Sequence, residues 1–154
     1  MTALELGNIT IEVDKAQTKE FYARQNGFTC TCRYCLNYVE KIGIVGELLN
    51  GLDLDLGIDL RKNVGQGMDE LMGHDNDDHC LFVIPYYISG KCFVDGKELP
   101  MQRSGPIWPT TVRAEHSLTS NLSLVIINTS GDIEFEKAEG VLSIWLEYKS
   151  ELIL

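Results

Sequence analysis

The sequence predicts an α+β fold, with an N-terminal strand and two helices packed on a largely antiparallel β-sheet or sandwich. Three observations predict it. Apolar residues recur at steps of three and four only within the first fifty positions. Beyond Cys80 they alternate or gather into β-branched and aromatic runs, and turn residues punctuate that half at short intervals. Helices confined to the N-terminal third, followed by closely spaced strands, fit segregated layers rather than an alternating parallel β/α arrangement. A length of 154 residues with 44% hydrophobic composition suits a single domain over residues 1–154.

Ile9, Ile11 and Val13 alternate with Thr10 and Glu12, which predicts a short half-buried strand ending at Asp14. Asp14 can accept from the first orphan amides of a helix, and Gln17 stands where a capping-box partner would sit, so a helix follows from about Lys15 to Gln25. Asn26-Gly27 tolerates left-handed geometry and would close it. A second helix is expected from about Cys32 to Leu49, because Cys35, Val39, Ile42, Gly46 and Leu49 recur on one helical face. Residues 52–60 alternate apolar with acidic, but aspartates disfavour strands and Gly57 interrupts the run, so they read as a helix end plus an extended connector. The glycine-rich, acidic stretch from Asn63 to His79 reads as a surface loop. Strands are then expected at Cys80 to Ile88, where Pro85 demands a sheet edge or a bulge, and at Lys91 to Val94, turning at Asp95-Gly96. Further strands are expected at 111–118, 122–128, 133–137 and 142–149.

Net charge is −10, from 23 acidic and 13 basic side chains. Such a field repels phosphate backbones and anionic bilayers, which argues against nucleic-acid and membrane partners and favours a basic protein. No apolar run approaches the roughly 20 residues that span a bilayer, and the first residues lack the pattern of a signal peptide. A cytoplasmic location is the expectation. Five cysteines in a reducing compartment are then thiols or thiolates rather than a disulfide framework.

Chemistry concentrates in Cys30-Thr31-Cys32-Arg33-Tyr34-Cys35-Leu36-Asn37-Tyr38. Cys30, Cys32 and Cys35 are candidate metal ligands. Zinc is the natural metal, since thiolates are its soft ligands, and a fourth ligand would have to come from Cys80, His79 or His74. Cys32 and Cys35 also stand at i and i+3 near a helix N-terminus, where thiolates are favoured. The pair resembles the Cys-x-Tyr-Cys dithiol of glutaredoxin-like proteins, but no long apolar strand precedes it, and the chain downstream is β. Buried reduced thiols packing in a core are the third alternative.

The block Ile11-Glu12-Val13-Asp14, Thr18, Phe21-Tyr22, Cys32 to Tyr38 and Leu56-Gly57-Ile58-Asp59 resembles a family of small uncharacterised bacterial proteins. These share a strand, helix, cysteine segment and helix, followed by a β-rich remainder. The resemblance covers about the first sixty residues. It marks the Cys32 to Tyr38 segment as a signature and implies no activity.

His74 and His79, with Asp75, Asp77 and Asp78, suggest a metal-assisted hydrolase, yet their spacing fits neither a helical zinc motif nor a calcium loop, and a solvated acidic loop is the simpler expectation. His116 falls in an alternating strand. Trp108, Trp145 and the Tyr86-Tyr87 pair are aromatic types enriched at interfaces. The reading adopted from the sequence is therefore a noncatalytic binding or protein-interaction module. A basic protein is the expected partner, and self-association through a sheet edge near Pro85 is the other version.

Overall fold

The computed structural model describes residues 1–27, 31, 33–62, 74–76, 79–101, 112–129 and 139–151. Over these residues the fold is α+β, with two helices on one face of a largely antiparallel sheet. The chain opens with a hairpin of β1 (Thr2–Leu6) and β2 (Ile9–Val13), whose turn uses Gly7 at a φ of 61°. The sequence reading missed β1. Its pattern is short and largely exposed, and only Leu4 and Leu6 pack against the core.

Helix α1 (Lys15–Ala23) begins as expected: Asp14 is extended and its carboxylate accepts from the Gln17 amide at 3.0 Å. Two details differ. The Gln17 side chain does not complete a capping box but accepts from the Ser89 hydroxyl on the sheet. The helix also ends on right-handed Arg24, and Gly27 instead bridges to Lys62, so Asn26-Gly27 serves as a link rather than a cap.

Helix α2 (Arg33–Gly51) buries Cys35, Tyr38, Ile42, Val45 and Leu49. The expected face is rotated slightly, since Val39 is exposed and Gly46 only half-buried. Tyr38 was overlooked because its hydroxyl makes it ambiguous in a hydrophobic pattern; here that hydroxyl finds a buried partner. The end of α2 is a Schellman motif. Asp53 turns left-handed at φ 52°, its amide donates to the Asn50 carbonyl, and the Leu54 amide donates back to Leu49.

The sheet is organised by one long strand. After β3 (His74–Asn76) comes β4 (His79–Val94), which merges the two strands expected from Cys80 to Ile88 and from Lys91 to Val94. Part of the expected acidic loop is thus a strand, since His74 pairs with Cys80 and Asn76 with His79. Residues 79–89 of β4 pair with β8 (Val141–Glu151), and residues 90–94 pair with β2. Asp95-Gly96, both at positive φ, turn β4 into β5 (Lys97–Glu98). Beyond β8 lie β7 (Leu122–Asn128) and β6 (Ala114–Ser117), giving the path β1-β2-β4-β8-β7-β6. The strand expected at 133–137 lies outside the described residues.

The partner switch on β4 requires Gly90, where a Cβ would stand 2.2 Å from the Glu12 carbonyl oxygen. The sheet is strongly curved: a Cβ on Gly7 would stand 3.6 Å from His116 on β6, at the far end of the path. Inside the curve lie Ile9, Ile11 and Val13 of β2, Ile88 and Cys92 of β4, Leu124 and Ile126 of β7 and Leu142 and Ile144 of β8, against which both helices pack.

Candidate functional site

Where β4 passes Pro85 to Ser89, its edge away from β8 has no neighbouring strand among the described residues and is occupied by α1. The Tyr87 amide donates to the Tyr22 hydroxyl at 2.8 Å, and the Ser89 amide donates to the Thr18 hydroxyl at 3.0 Å. The match is geometric: residues i and i+4 on a helix rise about 6 Å, close to the roughly 6.7 Å between alternate residues on a strand. The Thr18 hydroxyl in turn donates to the Asp14 carbonyl, and the Asp14 amide donates to Ser89. Pro85 is two residues before Tyr87, so its missing N–H falls on this same edge, as its presence in the strand demanded.

Beneath α1 and α2 the connector from Leu54 to Lys62 is fixed at several points. Gly57, at φ 79°, packs so closely on α1 that a Cβ would come within 2.9 Å of the Lys15 carbonyl oxygen. Asp55 accepts from the Gly57 amide and pairs with Lys15, while Asp59 accepts from the Arg61 amide. The Tyr86 hydroxyl donates to the Leu60 carbonyl at 2.7 Å. That commits its one proton, so the Tyr38 hydroxyl, 2.7 Å away, is the donor in the Tyr38–Tyr86 bond. Lys62 donates to the Tyr22 carbonyl at 3.0 Å. Burial raises the hydroxyl pKa of Tyr22, Tyr38 and Tyr86 well above the ordinary tyrosine value, so all three are fixed neutral hydrogen-bonding groups.

These pins shape an open cleft of about 560 Å³ between α1, α2 and the connector. Ala23, Ile42, Gly46, Ile58 and Leu60 line it with apolar surface. Lys19, Arg61 and Lys62 bring positive charge, with Asp55 and Asp59 beside them. The sequence reading missed this site, although Gly57 and Asp59 belonged to the block that carried the resemblance.

Of the expected metal ligands, Cys35 occupies the third position of α2 and is buried in the core. Cys30 and Cys32 lie outside the described residues, as does Trp108. Among the described residues no cluster of three or more histidine, cysteine or acidic side chains is arranged to hold a metal. His74 and His79 fall on adjacent paired strands rather than in a loop. Tyr86 is core, whereas Tyr87 and Trp145 are half-buried, and the Trp145 indole donates to Ser143 at 2.7 Å. Asn37, two residues after Cys35 on α2, is buried, and neither of its amide atoms finds a hydrogen-bond partner among the described residues.

The outward face of α2 is the reverse of its core face. Leu36, Val39 and Ile44 stand between about two-fifths and half exposed, interleaved with exposed Glu40 and Glu47. No described helix is long and apolar enough to cross a membrane. Compared with protein-family models, with curated proteins and with solved structures, the chain matches none.

Proposed function

We propose that this protein is a noncatalytic interaction module, and that a basic protein partner docks along the outward face of α2. The observation that carries the reading is the exposure of Leu36, Val39 and Ile44 on a helix whose opposite side is already fully used by the core. Apolar anchors supply contact area, and Glu40 and Glu47 among them select positive charge. The net charge of −10 extends that selection to long range and speeds encounter.

A defined probe tests it: a labelled amphipathic peptide of leucine and lysine, read by fluorescence anisotropy. Binding is expected at low salt and should weaken as salt rises mainly through slower association, since screening acts over about 8 Å at physiological ionic strength. The double substitution Leu36→Ser with Val39→Ser should abolish binding while leaving the fold intact. Equal binding of a leucine-glutamate peptide, or undiminished binding by the double variant, would reject the proposal. Self-association through the same face would appear as concentration-dependent dimerisation in sedimentation, also lost in that variant.

A second reading assigns zinc to Cys30, Cys32 and Cys35. What favours it is Asn37, two residues from Cys35, a buried amide with no hydrogen-bond partner among the described residues and of the kind that donates to a thiolate. Elemental analysis of protein purified without added metal tests it. A stoichiometric zinc signal lost in Cys35→Ser supports the reading, and zinc-free folded protein with titratable thiols rejects it.

A further inference from the structure

We propose that the cleft between α1, α2 and the connector is a binding site for a small organic anion with an apolar body. The inference is independent of the α2 docking face, because it uses other residues on another side of the helix. Its first support is the distribution of charge. Asp55 is already engaged by the Gly57 amide and Lys15, and Asp59 by the backbone and side chain of Arg61. The carboxylates are therefore occupied locally.

The cations keep donors to spare. Lys62 spends one of its three N–H groups on the Tyr22 carbonyl. Arg61 reaches Asp59 through Nε only, with its side chain four-fifths exposed, so the outer edge of the guanidinium remains open. Lys19 is exposed on α1 and makes no ion pair among the described residues. In a protein of charge −10, this is a place where uncommitted positive groups converge on a concave surface.

The second support is shape. A volume of about 560 Å³ lies within the range of ordinary small-molecule sites, and the wall formed by Ile42, Gly46, Ile58 and Leu60 suits a short hydrocarbon chain or ring. The third is pre-organisation. The Leu60 carbonyl is held by Tyr86, Lys62 by Tyr22 and Gly57 by α1, so the wall need not be ordered when a ligand arrives. Carboxylate and phosphate monoester groups satisfy the cations equally on this geometry, and the ligand class comprises both.

Titrations of the ¹⁵N-labelled full chain with hexanoate, hexyl phosphate and hexanol, followed by amide correlation spectra, test the site. Both anions should cause saturable shifts at Gly46, Gly57, Ile58 and Arg61. Hexanol should bind at least about tenfold more weakly, the factor that corresponds to roughly 1.4 kcal/mol for a lost charge-assisted contact. Lys19→Gln lies on an exposed surface, does not endanger folding, and should weaken the anions but not hexanol. The tighter of the two anions identifies the headgroup source. Absence of shifts at those amides up to about 10 mM, well beyond millimolar affinity, overturns the proposal. So does hexanol binding as tightly as hexanoate, or Lys19→Gln leaving anion affinity unchanged.

Discussion

The two helices lie on the same sheet and are held there by different forces. Helix α1 is short, and beside its buried Phe21 and Tyr22 rings its grip is polar: the Asp14 amide, the Gln17 side chain and the Thr18 and Tyr22 hydroxyls all bond to Tyr87 or Ser89 on one edge of β4. Helix α2 is twice as long and is held by an apolar stripe, with the Tyr38 hydroxyl adding a polar contact on that face. A helix that seals a strand edge must match the strand residue for residue. One held by burial needs only a side to bury, and its other side is left exposed.

Burial should give the larger single-site effects. Ile42→Ala, on the core stripe of α2, should cost about 2–5 kcal/mol, read as a fall in the denaturant midpoint at constant m-value. A loss below about 1 kcal/mol would mean that α2 is less firmly docked than its buried stripe implies.

On α1 the effects should be smaller and specific to one atom. Tyr22→Phe keeps the ring but leaves the Tyr87 amide without its acceptor, and Thr18→Val does the same to the Ser89 amide. Each should cost about 1–3 kcal/mol. Amide hydrogen exchange distinguishes the cause, because each substitution should accelerate its own strand amide first. Uniform acceleration across β4 would show that the edge contacts have no local role.

The same difference decides how much of the molecule was legible in the sequence. The apolar period of α2, the alternation of β2 and β8, the Asp14 cap and the Asp95-Gly96 turn were all readable, because each is a local pattern with one physical meaning. Pro85 called for an edge or a bulge, and its missing N–H faces an edge that has no strand partner among the described residues. What sealed that edge was not readable: Thr18 and Tyr22 have the spacing that fits alternate strand amides, but nothing local says which strand they will meet. The cleft was hidden for the same reason, being assembled from 19–23, 42–46 and 55–62. The cysteine segment drew attention by composition, yet the structure describes only Cys35 of its candidate ligands, and there it is a core residue.

The tyrosines extend the comparison to pH. Tyr22 of α1 and Tyr38 of α2, with Tyr86 between them, are held neutral chiefly by burial. Their folded pKa values lie above the unfolded value near 10, so the unfolded chain releases these protons first as pH rises. Their contribution to stability is thus complete below pH 10 and declines above it. Cys92, pushed up to about 11 by burial, adds a similar decline beginning near its ordinary value of 9. Absorbance at 295 nm should show at least three of the six tyrosines, Tyr22, Tyr38 and Tyr86, ionising only as the protein unfolds in alkali. Titration of all six in a protein that keeps its near-ultraviolet circular dichroism would contradict this.

The smallest effect is expected where the helices end. Helix α1 closes on right-handed Arg24, whereas α2 closes on left-handed Asp53 with no basic residue in its last turn. Asp53 therefore sets a carboxylate against the negative end of the α2 dipole without compensation. Asparagine tolerates the left-handed conformation at least as well and carries no charge. Asp53→Asn should stabilise the protein by about 0.3–1 kcal/mol at low ionic strength, and the gain should shrink as salt is added. A gain independent of salt would assign the effect to backbone conformation instead, and a loss would mean that the Asp53 carboxylate makes a favourable contact that outweighs the dipole.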